Sequence, residues 1–143
     1  MPGEVRFPPA AYSTLAMNAP LVRRINVESR YSDVAVHKGV AYLAGQVPDD
    51  DQAGIEIQTR QVLATIDRLL AQAGSGRQHL LMVTVYLADM ADYAAMNGVY
   101  DQWVAGIQAP PRATVAARLA KPGWRIEVVV TAAVVGSPLG AGV

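Results

Sequence analysis

The sequence contains no cysteine, so disulfide bonds, thiol nucleophiles and thiolate metal sites are excluded. Its two histidines, His37 and His79, are not spaced as metal ligands, which argues against a zinc site within one chain. We interpret both histidines as structural. A GxSxG elbow, an HExxH motif and a glycine-rich phosphate loop are also missing. A Ser-His-Asp arrangement stays open, although no motif points to one.

The chain also lacks an excess of charge of either sign, since twelve basic residues balance twelve acidic ones. Proteins that bind nucleic acid usually carry a basic excess, because phosphate contacts dominate their affinity. We therefore expect no nucleic-acid partner. No apolar run approaches the roughly 20 residues that span a bilayer, and Glu4, Pro8 and Pro9 interrupt the start where a signal peptide is apolar. The expectation is a cytoplasmic protein without a membrane partner.

The length of 143 residues fits one domain that needs no disulfide or metal to bury a core. Prolines mark residues 1–20 as an N-terminal extension, and small residues mark 137–143 as a flexible tail. Residues 21–136 form the compact part. A composition of 52% hydrophobic and 17% charged residues has two explanations. One is an alanine- and valine-rich genome, and the other is a surface partly hidden in an oligomer.

Hydrophobic periodicity divides the compact part into alternating strands and helices. The predicted elements are strands over 32–37 and 40–44 around a Lys38-Gly39 turn, a helix over 54–73 followed by Gly74, a strand over 79–87, a helix from Asp89 to Pro110-Pro111, and strands over 114–119 and 125–135. The near-continuous apolar run over 79–87 is typical of a strand covered on both faces. This order predicts an α+β fold, one mixed sheet with two helices on one face. A doubly wound nucleotide fold is the alternative, without a phosphate loop to support it.

Arg112 is the first candidate for chemistry. It follows Pro110-Pro111, where a stiffened loop enters a strand, so its side chain can reach into a cleft at the rim of the sheet. A guanidinium forms two parallel hydrogen bonds to a carboxylate, a geometry that lysine cannot copy. The alternative is a solvated arginine at a strand end, paired with a nearby acid.

Glu127 is the second candidate, because it is the only charge between Ile126 and Val135. Strand alternation places it on the face opposite Ile126 and Val128. A partly buried carboxylate on that face would suit proton transfer. The alternative is an outward carboxylate on a half-exposed strand. Three polar residues, Tyr31, Gln46 and Asn97, could contact a ligand, although each alone is more often structural.

Five segments together are more specific than any of these residues alone. They are Ser-Arg-Tyr-Ser-Asp-Val-Ala-Val (29–36), Gly-Gln-Val-Pro (45–48), Met-Asn-Gly-Val-Tyr-Asp-Gln-Trp (96–103), Ala-Pro-Pro-Arg-Ala-Thr-Val (109–115) and Arg-Ile-Glu-Val (125–128). This pattern resembles the RidA/YjgF/UK114 family, in a YoaB-like side branch, from about Val22 to Val135. The resemblance implies a chorismate-mutase-like α+β fold. It also implies a homotrimer whose sheets form a central barrel, with clefts between subunits.

Active members of that family hydrolyse reactive 2-imino or enamine acids to 2-keto acids and ammonia without a cofactor. The resemblance therefore implies a deaminase whose ligand is a small 2-imino or enamine acid, of the 2-iminobutanoate or 2-iminopropanoate type. The residues carried over as catalytic are Arg112, for the substrate carboxylate, and Glu127, for placing or activating water. Those carried over as substrate-binding are Tyr31, Gly45, Gln46, Asn97 and Thr114. No metal is implied.

Other functions stay open at this point. One is a non-catalytic trimer that binds a small metabolite or regulates through it, although the presence of both Arg112 and Glu127 favours the deaminase. A ribonuclease or translation inhibitor, an activity attached to relatives, is disfavoured by the zero net charge and the lack of a basic cluster.

Overall fold

A computed structural model describes residues 21–136. The N-terminal extension and the C-terminal tail inferred above lie outside the described residues. The strands are β1 Arg23–Val27, β2 Ser32–His37, β3 Val40–Leu43, β4 Leu80–Leu87, β5 Arg112–Ala116 and β6 Ile126–Ala133. The helices are α1 Ile55–Gln72 and α2 Tyr93–Trp103, with short 3₁₀ turns at Arg77–His79 and Met90–Asp92.

The strands form one mixed sheet in the order β1-β2-β3-β6-β4-β5. Among the strands of residues 21–136, only β4 and β5 run parallel, and α2 lies in the connection between them. Both helices cover the same face, since every second residue of β6 is buried, starting at Ile126. The predicted architecture is therefore confirmed. Within residues 21–136, neither helix is both long and apolar enough to cross a membrane.

The turns predicted from glycines are present. Lys38 and Gly39 take φ values of 48° and 77°, the positive values that a two-residue hairpin turn requires. Gly74 takes a φ of 79° directly after the end of α1. The amides of Gly74 and Ser75 donate to the carbonyls of Ala71 and Leu70, which closes the helix in a Schellman motif.

The first strand is missing from the sequence prediction. Residues Arg23–Val27 lie at one edge of the sheet, and only the central Ile25 is partly buried. Backbone pairing holds this strand, with Ile25 opposite Val34 of β2. Because burial imposes no alternation on an exposed edge strand, its sequence shows no hydrophobic period.

Two predicted boundaries near the candidate site are wrong. Strand β5 begins at Arg112 instead of 114, because Arg112 already pairs with Val83 of β4. Helix α2 ends at Trp103, well before the proline pair that was expected to end it. Gly106 takes a φ of 81° just after that end, a left-handed conformation that does not continue a helix.

The second face of the sheet is not covered by the described residues. Strand β4 was expected to be covered on both faces, but its Met82 is 38% exposed. Tyr42 of β3 and Val115 of β5 are 51% and 44% exposed on the same side. The register supports this arrangement, because Tyr42 and Met82 both pair with Thr131 of β6. We refer to this side as the open face.

A fully buried glutamine joins the start of α1 to the loop before β6. The Gln58 amide nitrogen donates to the carbonyls of Ala53 and Gly123, at 3.0 and 2.9 Å. Its oxygen accepts from the Arg125 amide at 2.8 Å. Three backbone groups therefore depend on one side chain inside the protein.

We expect Gln58→Leu to lower the free energy of unfolding by about 2–4 kcal/mol, because buried backbone groups would lose their partners. Urea denaturation followed by circular dichroism measures this. Gln102→Leu is the matched control, since Gln102 is exposed and its side chain makes no hydrogen bond in the described chain. Equal stability of the two variants would show that water can replace the Gln58 contacts.

Candidate active site

Arg112 lies at the start of β5, and one face of α2 lies above it. Tyr93, Asn97 and Tyr100 are spaced by four and three residues along α2, so they share that face. Strand β5 places Arg112 beside the buried Val83, on the helix-covered side of the sheet. The connection from β4 to β5 thus supplies both the helix face and the arginine.

The contacts of the Arg112 guanidinium fix its position. Its Nη1 donates to Asn97 Oδ1 at 2.8 Å, and its Nη2 lies 3.5 Å from the Tyr93 hydroxyl. The guanidinium carbon lies 4.6 Å from the centre of the Tyr100 ring and 5.9 Å from that of Tyr93. Both rings can therefore stabilise the cation through its attraction to an aromatic face.

Arg112 has no acidic partner within residues 21–136. The ion pairs of this part of the chain join Arg77 to Asp67 and Arg125 to Asp92. A guanidinium carries five N–H donors, and Asn97 takes one of those on Arg112 with good geometry. The remaining donors and the unpaired positive charge fit an anion. These contacts disfavour the interpretation that Arg112 is a solvated side chain paired with an acid.

Two buried hydroxyls lie on the same side of the sheet as Arg112. Thr114 points the same way as Arg112, because it lies two residues further along β5. Its Oγ1 and the hydroxyl of Tyr100 are both buried without a hydrogen-bond partner in the described chain. Burial raises the pKa of the Tyr100 phenol, although the nearby charge of Arg112 acts in the opposite direction. Tyr100 is therefore a neutral hydrogen-bond donor at physiological pH.

Glu127 forms a second group of candidate residues with Gly45 and Gln46. The backbones of Gln46 and Val128 exchange two hydrogen bonds of 2.9 and 3.0 Å, which holds the loop after β3 against β6. The Glu127 carboxylate lies directly over Gly45, where a β-carbon would come within 2.9 Å of its Cδ. The Gln46 amide nitrogen donates to Ala44 O at 2.8 Å, so this side chain folds back onto its own loop.

The two catalytic candidates lie on opposite faces of the sheet. Arg112 pairs with Val83, whose side chain is buried under the helices. Glu127 pairs with Tyr86, which lies three residues after Val83 along β4 and so points to the opposite face. Glu127 therefore points to the open face. The described chain does not bring the two charges together on one side.

Tyr31 is distant from Arg112 as well. It lies in the turn between β1 and β2, it is 59% exposed, and its hydroxyl makes no hydrogen bond in the described chain. Four strand spacings separate β2 from β5, a distance of roughly 20 Å at the usual spacing of neighbouring strands. Within one chain, Tyr31 and Arg112 therefore do not meet.

A bidentate ion pair fixes the start of α2. Arg125 donates to both oxygens of Asp92, at 3.1 and 2.6 Å, and Asp92 is almost fully buried. Asp89 caps the 3₁₀ turn before α2, because its side chain accepts from the Ala91 amide at 2.9 Å. These contacts anchor the helix whose face holds Arg112.

Tyr93 and Tyr100 are the site residues that sequence reasoning missed. The periodicity assigns both to the apolar stripe of the second helix, and Tyr100 is indeed buried there. The available signal was their spacing from Asn97, which puts all three side chains on one helix face. Periodicity alone cannot distinguish an aromatic ring that packs in the core from one that also contacts a cation.

Comparisons with known proteins identify the family of this chain. A family model described as Endoribonuclease L-PSP matches residues 22–134. A RutC family protein from Haemophilus ducreyi is 51% identical over 114 residues, which are 80% of this chain and 97% of that protein. The RutC family protein YoaB from Escherichia coli K12 is 42% identical over 111 residues, 78% of this chain and 96% of that protein.

A solved structure of a YjgF family member from Neisseria meningitidis is 46% identical. It has a TM-score of 0.75 and covers 78% of this chain and 93% of its own. The six-stranded sheet with two helices is thus the architecture of the YjgF proteins. The chain belongs to the Endoribonuclease L-PSP family, which its similarity to the RutC and YjgF proteins supports. The resemblance inferred from the five sequence segments is confirmed.

Proposed function

We propose that this protein hydrolyses reactive 2-imino or enamine acids to 2-keto acids and ammonia. The observation that carries the proposal is the anchored Arg112 guanidinium, which has aromatic and amide neighbours but no acidic partner among residues 21–136. Such a group binds a carboxylate through two parallel hydrogen bonds. Substrates of the proposed class carry this carboxylate next to the reacting carbon, so binding it also positions that carbon.

The chemical step requires one water and a group that moves its proton. Water attacks the protonated imine carbon, the carbon–oxygen bond forms, and the π electrons move to nitrogen. Glu127 accepts the proton of that water and returns it to the amine nitrogen. The carbon–nitrogen bond then breaks and ammonia leaves with both bond electrons, while the Glu127 carboxylate takes the proton of the carbinol hydroxyl. The 2-keto acid remains, and that proton and the ammonia leave together as ammonium. Because a protonated imine is already electrophilic, the protein needs only to orient the substrate and supply one general base for the hydrolysis.

A homotrimer is part of this proposal, because one chain holds Arg112 and Glu127 on opposite faces of the sheet. If both act on one substrate, they come from neighbouring chains that meet at the edge of the sheet. Tyr31, on the far side of the sheet from Arg112, would act from a neighbouring chain in the same way. The open face, with Tyr42, Met82 and Val115 exposed, supplies the apolar surface that further copies would bury.

We expect purified protein to accelerate the loss of 2-iminobutanoate or 2-iminopropanoate generated by an amino-acid oxidase. Arg112→Ala should lower kcat/KM by at least about 100-fold. Arg112→Lys should lower it by about tenfold, because lysine keeps the positive charge but cannot form two parallel hydrogen bonds to the carboxylate. Trapping of the remaining imine with semicarbazide measures the rate.

The matched control for this assay is Arg118→Ala, which removes an exposed arginine that makes no side-chain hydrogen bond or ion pair in the described chain. Its rate should equal that of the wild type. No acceleration by the wild type with small, branched or aromatic imines would contradict the deaminase. Retained carboxylate binding in that case would favour a metabolite-binding or regulatory trimer.

Gly45→Ala should reduce turnover about as much as Glu127→Gln, because a β-carbon at residue 45 would displace the Glu127 carboxylate. Its melting temperature should stay close to that of the wild type, since the displaced atoms are the end of a flexible side chain. Gly54→Ala is the control, because a β-carbon there meets nothing within 4 Å. Full activity of Gly45→Ala beside an inactive Glu127→Gln would show that the carboxylate acts from another position.

Light scattering should give a mass three times that of the 15.2 kDa chain at micromolar concentration. Tyr42→Lys, which places a charge on the open face, should shift the mass towards that of one chain. Ile57→Lys is the matched control, because Ile57 is 54% exposed on α1, on the other side of the sheet. A wild type with the mass of a single chain would remove the proposed site between chains.

A further inference from the structure

The hydroxyl of Tyr100 has no partner in the described chain, although the residue is only 5% exposed. A buried hydroxyl without a hydrogen bond is unfavourable, and most such groups in proteins are satisfied. The aromatic ring of the same side chain, in contrast, has defined contacts. Its ring lies 4.6 Å from the Arg112 guanidinium carbon and 5.8 Å from the centre of the Trp103 ring.

Phenylalanine would provide the same ring without the unsatisfied oxygen. It would keep the packing on Trp103 and the contact with the cation, since both use the aromatic face. The hydroxyl is therefore the only part of Tyr100 that packing does not explain. It belongs to the ring that lies against the Arg112 guanidinium, which has no acidic partner within residues 21–136.

We infer that Tyr100 is a further binding residue of this site, whose hydroxyl donates a hydrogen bond to the carboxylate that Arg112 binds. The inference rests on the proposed function. A carboxylate offers about four acceptor positions, and a bidentate guanidinium fills two of them. A neutral phenol can fill a third without adding a charge to a buried position. Burial keeps the Tyr100 pKa high, so the proton is present at physiological pH.

This role predicts opposite effects of one substitution on stability and on binding. Tyr100→Phe removes an oxygen that is unsatisfied in the free protein, so the melting temperature should rise or stay the same. The same change should weaken binding of 2-oxobutanoate, a product of the proposed reaction, by about tenfold. In turnover of the corresponding imine, KM should rise by a similar factor while kcat changes little, because the hydroxyl contacts the carboxylate and not the reacting carbon.

The experiment measures 2-oxobutanoate binding by calorimetry, imine turnover and the melting temperature on the full-length protein. The variants are Tyr100→Phe, Arg112→Ala and, as a control, Arg118→Ala, which removes an exposed arginine without a side-chain hydrogen bond or ion pair in the described chain. We expect weaker binding only in the first two variants.

Binding by Tyr100→Phe within twofold of the wild type, while Arg112→Ala does not bind, would overturn the role of Tyr100 and leave the proposed function intact. A melting temperature several degrees lower for Tyr100→Phe would also overturn it, because the hydroxyl would then have a partner within the free protein. Neither binding nor turnover by the wild type would remove the proposed function, and the role of Tyr100 with it.

Discussion

The parallel pairing of β4 with β5 is the constraint on which the candidate site depends. Two neighbouring strands can run parallel only if the chain crosses over one face of the sheet between them, usually as a helix. Here that crossover contains α2, and it returns the chain to the start of β5 at Arg112. The topology therefore brings Arg112 under Tyr93, Asn97 and Tyr100. The ion pair of Arg125 with the buried Asp92 holds the start of the same helix.

The same sheet separates the two charges of the proposed site. A sheet with alternating side chains gives one face to the helices and one to the surroundings, and Arg112 and Glu127 fall on different faces. Under the proposed function, one chain therefore carries half of the site on each side. Assembly of several copies would let each half meet its complement, so the proposed chemistry requires an oligomer.

The parts of the fold that are determined by side-chain burial or by glycine turns could be predicted from the sequence. The isolated charge in an apolar strand placed Glu127 opposite the buried Ile126 and Val128, and the structure has it there. The turn at Lys38-Gly39 and the helix end at Gly74 were predicted because glycine adopts positive φ values more readily than other residues. Strand β1 was not predicted, since backbone pairing at an exposed edge leaves no hydrophobic pattern. Tyr93 and Tyr100 were missed as neighbours of Arg112, because periodicity does not predict where a helix face meets the strand that follows it.

The rigidity of the Arg112 contacts bears on selectivity. A long side chain that is ordered before its ligand arrives loses little conformational freedom on binding, so more of the interaction energy is available for affinity. The Asn97 hydrogen bond and two aromatic rings order Arg112 in this way. In the proposed reaction, Arg112 binds the carboxylate, and Glu127 moves the proton of the water that attacks the carbon next to it. Since both groups are common to all 2-imino acids, residues contributed by a neighbouring chain would determine which substrate side chains are accepted.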